Sequence, residues 1–173
     1  DRHESIYGPP LSNGNTYSFN DRGIDDVQFL IETGADNVLR PVDELLSGGE
    51  ASRLILALSV ALSKYSNPQT IVFDEVDSGV GGRIGDLIGR SLWELAQNAQ
   101  VLCITHLPQV AVFADRHIQV SKQINSQKTF TMIRTLKENE KASEIAEMLG
   151  DNESIIIRDA AERLLEQSRG SKL

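Results

Sequence analysis

Thr70-Ile71-Val72-Phe73-Asp74-Glu75-Val76-Asp77-Ser78-Gly79 opens on a short apolar, β-branched run and turns abruptly acidic. Such a run reads as a buried strand of a parallel sheet. A second run, Val101-Leu102-Cys103-Ile104, ends in the same way at Thr105-His106. Between them, residues 82–98 repeat Ile84, Leu87, Ile88, Leu92 and Leu95 at helical spacing. Ahead of them, residues 48–64 do the same with Leu54, Ala57, Leu58, Ala61 and Leu62. Helix, strand, helix, strand is the α/β pattern, with a largely parallel sheet flanked by helices. Sheets of this class take ligands at the carboxyl ends of their strands. The polar clusters Asp74-Glu75 and Thr105-His106 fall there.

Outward from this centre the pattern is less regular. Residues 1–14 are turn-rich, with Gly8-Pro9-Pro10 and Asn13-Gly14 as breakers. Thr16–Phe19 and Val27–Ile31 read as short strands split by Asp21-Arg22-Gly23, and 33–46 reads as a loop. Ser66-Asn67-Pro68 stops the first helix. Past His106 the expectation is a helix over 107–114, then strands at 117–121 and 129–133 paired through a turn near Asn125-Ser126. Two helices follow, 140–149 and 153–168, separated by Gly150-Asp151-Asn152. Three parts result: N-terminal strands and loop (1–46), a motif-bearing lobe (47–135), and C-terminal helices of the same domain (136–173).

The chain has 173 residues, 25 acidic and 17 basic, with a net charge of −8 and 40% hydrophobic content. That suits one domain with a real core and excludes a disordered chain. No apolar run approaches the ~20 residues that span a bilayer. The acidic balance argues against whole-surface binding to DNA or to an anionic membrane. The one loose basic grouping, Lys122, Lys128, Arg134 and Lys137, reads as a solvated face. The single cysteine, Cys103, forms no internal disulfide and fits a reducing compartment; its apolar neighbours make it a packed thiol. The sequence opens on Asp1 with no signal-peptide pattern, so a processed product or a piece of a longer chain is expected.

Four motifs carry the chemistry. Ser47-Gly48-Gly49-Glu50 is a capping box, Ser47 capping and Glu50 reaching back. Two glycines in a first helical turn also make sense if something must approach the backbone, and a helix N-terminus suits a phosphate. Both readings stand. Asp74-Glu75 offers one carboxylate for a hydrated Mg²⁺ and another for deprotonating a water; the dipeptide alone reads rather as solvated acids leaving a strand. Asp77-Ser78-Gly79-Val80-Gly81-Gly82 demands a special backbone path beside them, to touch a phosphate or a second subunit, or simply to enter a helix. His106 lies in the same row of strand ends and suits contact with a terminal phosphate.

In this order, Ser47-Gly48-Gly49-Glu50-Ala51-Ser52-Arg53, the Phe73–Gly82 stretch and Thr105-His106-Leu107-Pro108-Gln109-Val110-Ala111 resemble the RecN family of bacterial DNA repair proteins. That family belongs with the chromosome-maintenance (SMC) ATPases, and the likeness runs from about Gly8 to the C-terminus. It implies the C-terminal half of a P-loop NTPase-like head of ABC type. By the resemblance, Ser47, Gly48, Gly49 and Glu50 form the signature motif, capping the γ-phosphate of ATP held by a partner. Asp74 holds Mg²⁺ through water and Glu75 is the general base. Asp77, Ser78 and Gly79 form the D-loop across the interface, and His106 is the switch histidine. ATP and Mg²⁺ are the implied cofactors. The implied partners are a second head, in a homodimer, and DNA, with no membrane, in a cytoplasmic and nucleoid-associated setting. Arg53 lies one turn into the signature helix, without an assigned role.

One departure is decisive. There is no Gly-x-x-x-x-Gly-Lys-Ser/Thr loop; Gly79–Gly85 is glycine-rich but lacks the Lys-Ser/Thr. A recognisable Q-loop glutamine and a heptad coiled coil are also missing. The expectation is therefore a C-terminal segment of the family, unable to hydrolyse ATP by itself. Two alternatives remain at this level: a non-catalytic module completing another ATPase, or the head of another SMC-like or transporter ATPase.

Overall fold

The computed structural model describes residues 14–21, 23–25, 27–32, 38–42, 47–65, 70–125 and 128–172. It divides into two compact units, Asp1–Leu46 and Ser47–Leu173. The expected turns over 1–13, the breaker at 66–69, the loop residues 33–37 and 43–46, Arg22, and the turn residues 126–127 lie outside the described residues.

In the first unit, β1 (Leu30–Glu32) pairs antiparallel with β2 (Leu39–Pro41), Leu30 opposite Pro41. Thr16–Phe19, expected as a strand, is not one, and the strand expected from Val27 begins at Leu30. β2 arises inside the segment read as a loop. A strand is settled by its neighbour as much as by its own residues, so three-residue strands leave little trace in sequence.

The second unit runs α1 (Gly48–Leu62), β3 (Thr70–Phe73), α2 (Gly82–Ala96), β4 (Gln100–Cys103), α3 (Pro108–Ala111), β5 (Ile118–Asn125), β6 (Lys128–Thr135), α4 (Glu138–Leu149) and α5 (Ile155–Ser171). β3 and β4 pair in parallel from Thr70–Gln100 to Phe73–Cys103. The Ile104 N–H extends the ladder to the Phe73 carbonyl at 2.9 Å. Ile71, Phe73, Val101 and Cys103 pack with Leu56 of α1, with Ile88, Leu92 and Leu95 of α2, and with Val110. The alternate residues Val72, Leu102 and Ile104 are bare, at 61%, 44% and 60% exposure.

The parallel sheet expected from the sequence is represented among the described strands by this one pair. β1–β2 and β5–β6 are separate antiparallel ribbons, the latter running from Ile118–Thr135 to Asn125–Lys128. An apolar run specifies that a strand is buried, not which strand lies beside it.

The helices form where periodicity puts them, but two are rotated from expectation. On α1 the inward stripe is Gly49, Ser52, Arg53, Leu56 and Val60, while Ile55, Leu58 and Leu62 are exposed. On α2, Ile88, Leu92 and Leu95 are buried but Ile84 and Leu87 are exposed. The helix read over 107–114 is the single turn α3. Around it a second core joins Ala111, Val112 and Phe113 to Ile145 and Ala146 of α4 and Ala161 of α5. The Ser168 hydroxyl ties α5 back to the Val112 carbonyl at 2.9 Å. The tail helices thus pack on their own chain through Ile145, Met148, Leu149, Leu164 and Leu165, whereas Ile156 and Ala160 face outward.

The tightest joint is α2 against the α3 region. A Cβ on Gly89 would run into the Phe113 ring and lie 3.0 Å from the Gln109 carbonyl. Gly89→Ala should destabilise the chain by about 1–3 kcal/mol despite the better helix former, because the overpacked ring has no free side to move to. Urea denaturation would read this as a lowered midpoint.

Candidate functional site

Strand β3 delivers Asp74 and Glu75 to its carboxyl end, where both are exposed. The Asp74 carboxylate accepts the Glu75 N–H at 2.9 Å. Glu75 has φ +58°, the one positive φ on a non-glycine residue among the described residues. Its carbonyl accepts the Ser78 N–H at 2.9 Å, closing a turn that sends Val76 and Asp77 into the interior.

The start of α1 lies against this turn. The capping box is formed: the Ser47 hydroxyl accepts the Glu50 N–H at 3.4 Å, and Glu50 Oε2 accepts the Ser47 N–H at 3.0 Å. Oε2 also takes the Ser47 hydroxyl at 3.1 Å. The Ser47 N–H, and then its hydroxyl, hold the Glu50 carboxyl below its ordinary pKa. The glycines meet the chain's own acidic turn. A Cβ on Gly48 would sit 2.6 Å from Glu75 Oε2. One on Gly49 would sit 3.1 Å from the Glu75 carbonyl and from Ser78 Cβ. What approaches the helix start is therefore the loop that carries the acids, and it brings Ser47–Glu50, Asp74, Glu75 and Ser78 into one place.

Asp77 faces the other way. Only 2% exposed, it accepts the Thr105 hydroxyl, the His106 N–H at 2.9 Å and the Leu107 N–H at 3.2 Å. His106 Nδ1 lies 3.3 Å from the same carboxylate oxygen, while the His106 side chain is 70% exposed. Burial alone would raise the Asp77 pKa. The Thr105 hydroxyl, the His106 N–H and imidazole, and the Leu107 N–H outweigh it and hold Asp77 below the ordinary 3.8. The Asp77 carboxylate is thus spent on joining the β3 and β4 loops, while Ser78 and Gly79 (φ +70°) stay exposed beyond it. The sequence gives no sign that Thr105 is the partner of Asp77, and it assigns Ser52, which stands in the Ser47–Arg53 motif, no contact. Ser52 donates to the Asp74 carbonyl at 2.8 Å from the second turn of α1.

Among the described residues no three His, Cys, Asp or Glu side chains are grouped to hold a metal ion. Cys103 is pushed up to about 12 by burial, then by Asp77 and Asp74, and is a packed thiol. A cavity of about 210 Å³ between α3, α4 and α5 contains none of these residues. Its rim charges pair among themselves, Lys141 and Arg169 with Glu138, and Lys172 with Asp115. Within the loose basic grouping, Arg134 is engaged by Glu140 and Gln119.

No family model matches the chain. DNA repair protein RecN of Bacillus subtilis (strain 168) is 39% identical over 160 residues, 92% of this chain and 28% of that one. RecN of Streptomyces coelicolor is 40% identical over 160 residues, again 92% and 28%. RecN of Xylella fastidiosa (strain 9a5c) is 44% identical over 128 residues, 74% and 23%. The chain belongs to the RecN family. It spans about a quarter of the length of these RecN relatives. A solved chain described as "Structural biochemistry of ATP-driven dimerization and DNA stimulated activation of SMC ATPases" aligns at a TM-score of 0.47 and 23% identity, over 66% of this chain and 67% of that one. That likeness is too slight to bear on the fold or the site. No helix among the described residues is long and apolar enough to cross a membrane.

Two expectations follow for this RecN segment. A Cβ on Gly49 presses on backbone, whereas one on Gly48 presses on the movable end of Glu75. Gly49→Ala should therefore cost about 1–2 kcal/mol, and Gly48→Ala should stay within about 1 kcal/mol of the parent, as read by chemical denaturation. Asp77→Asn should cost about 1–3 kcal/mol at neutral pH, because a neutral amide oxygen in the same place accepts these donors without the charge that strengthens each bond. Because the folded-state pKa of Asp77 is lowered, its contribution is present above 3.8 and lost as pH falls through that lower folded value. The gap between parent and variant should close only in that acid range, checked by denaturation midpoints against pH.

Proposed function

We propose that this segment is the C-terminal part of an ATP-hydrolysing head in a RecN-type DNA repair protein, acting as a head–head homodimer. The observation that carries the reading is the meeting of the Ser47–Glu50 helix start with the Asp74-Glu75 turn, beside the His106 loop. These are part of what phosphoryl transfer to water uses, gathered at the end of a parallel pair, where sheets of this class take ligands.

In this reading Glu75 takes the proton from the attacking water, and an exposed carboxylate at the strand end is suited to that task. Asp74 would hold Mg²⁺ through water; the ion, when bound, neutralises charge on the phosphates. The imidazole of His106, its Nδ1 turned to Asp77, meets the terminal phosphate. The Ser47 hydroxyl and the N–H groups at the start of α1 address the phosphate of the nucleotide held by the partner head, with the helix dipole favouring negative charge. The loop from Asp77 to Gly79 borders the same interface through Ser78 and Gly79.

The phosphate-gripping loop is absent from this sequence and is assigned to another part of the full-length protein. The quarter-length match to the RecN relatives supports that assignment. So does the bare face of Val72, Leu102 and Ile104, since parallel strands are ordinarily covered on both sides. The exposed Ile55, Leu58 and Leu62 of α1 offer a second surface for the same remainder. DNA contact is assigned to other parts of the full-length protein, because this segment carries −8, and the family likeness supports a cytoplasmic, nucleoid-associated setting.

The test is steady-state ATP hydrolysis. The full-length protein should turn over ATP with Mg²⁺, Glu75→Gln should lower kcat by about 10²–10⁴-fold with nucleotide binding kept, and the isolated segment should be inactive. Turnover by the isolated segment that Glu75→Gln abolishes would overturn the division of the site between two parts of the protein.

A further inference from the structure

Glu75 is the strained residue of the site, and the chain clamps it from both sides. The carbonyl before it, on Asp74, accepts the Ser52 hydroxyl at 2.8 Å. The carbonyl after it, on Val76, accepts Arg53 Nη1 at 3.3 Å, and the same nitrogen donates to the Ser78 carbonyl at 2.9 Å. Ser52 and Arg53 are adjacent, half-buried, and on the stripe of α1 that faces the turn. Apolar residues at these positions would serve cohesion more cheaply, since polar groups lose water on burial. A planar guanidinium, by contrast, is shaped to bridge two carbonyls.

A left-handed backbone at a residue with a Cβ persists only where its surroundings over-determine it. Phe73 and Val76, on either side, are buried at 2% and 0% exposure. The chain must therefore leave the core at Asp74, reverse at Glu75 and re-enter at Val76. The left-handed turn at Glu75 does this and leaves its carboxylate outside, over Gly48.

We infer that Ser52 and Arg53 are positioning residues that hold the Glu75 backbone left-handed and so aim its carboxylate. The inference rests on the reading of Glu75 as the base of the proposed head. It gives a role to Arg53, one turn into the helix that begins at Gly48.

The experiment compares Arg53→Ala, Arg53→Lys and Ser52→Ala in the full-length protein by ATP hydrolysis, equilibrium nucleotide binding, thermal melting and amide hydrogen exchange. Arg53→Ala should lower kcat by about 100-fold, the cost of a base displaced by an ångström, with KM and nucleotide affinity unchanged. Arg53→Lys should recover part of the rate, because an ammonium can still reach one carbonyl. Exchange should quicken over residues 74–80 while the rest of the chain keeps its protection. In a Glu75→Gly background, where the left-handed backbone carries no penalty, Arg53→Ala should add little further exchange. Wild-type kcat in Arg53→Ala would overturn the inference. So would a loss of rate that follows a uniform loss of protection and melting temperature in both Arg53 variants. If the parent protein hydrolyses no ATP, the head reading fails, and the exchange measurements over 74–80, with and without Glu75→Gly, still decide the clamp.

Discussion

The site depends on one buried carboxylate. Asp77 gathers the Thr105 hydroxyl and the His106 and Leu107 N–H groups onto a single oxygen. β3 and β4 are only four residues each, and their ladder ends where the functional loops begin. Beyond that point the Asp77 hydrogen bonds hold the acid-bearing loop to the histidine-bearing loop. A charged acceptor buried in this way is tolerable only because its donors are all supplied, and the low dielectric around it makes each of them count.

The second constraint is the rotation of α1. Periodicity in 48–64 is unmistakable, yet its most apolar stripe is not the one that faces the core. Gly49, Ser52 and Arg53 win that position through contacts with the carbonyls of Glu75, Asp74, Val76 and Ser78. Close approach at Gly49 and hydrogen bonds in the next turn fix the helix, and Leu56 and Val60 follow into the core. Ile55, Leu58 and Leu62 are left outside as a consequence. From Leu54 to Leu62 this helix is apolar on nearly every side, and there the repeat marks a helix without saying which face is buried.

Much of this was legible beforehand. The strand endings at Asp74 and His106, the cap at Ser47 and the alternation of helix and strand all rest on local chemistry, and they appear within a residue or two of where the sequence puts them. What was not legible depended on partners far along the chain. Asp77 read as part of a loop able to touch a phosphate or a second subunit, yet its carboxylate turns inward to Thr105, 28 residues on. The two glycines of the helix start read as room for a ligand, and their immediate neighbour is the chain's own Glu75. The short β2 strand was invisible because three residues carry no pattern of their own.

The sequence by itself determined the class of the fold, the order of its motifs and the family to which they belong, because each motif is a contiguous run whose chemistry is local. It also determined the absence of a phosphate-gripping loop within these 173 residues. Only the tertiary structure decided which way Asp77 turns, which stripe of α1 is buried, and that Glu75 stands left-handed between two carbonyls held by Ser52 and Arg53. Those outcomes follow from hydrogen bonds spanning more than twenty residues, and the free energy of such a bond belongs to the pair that the fold brings together.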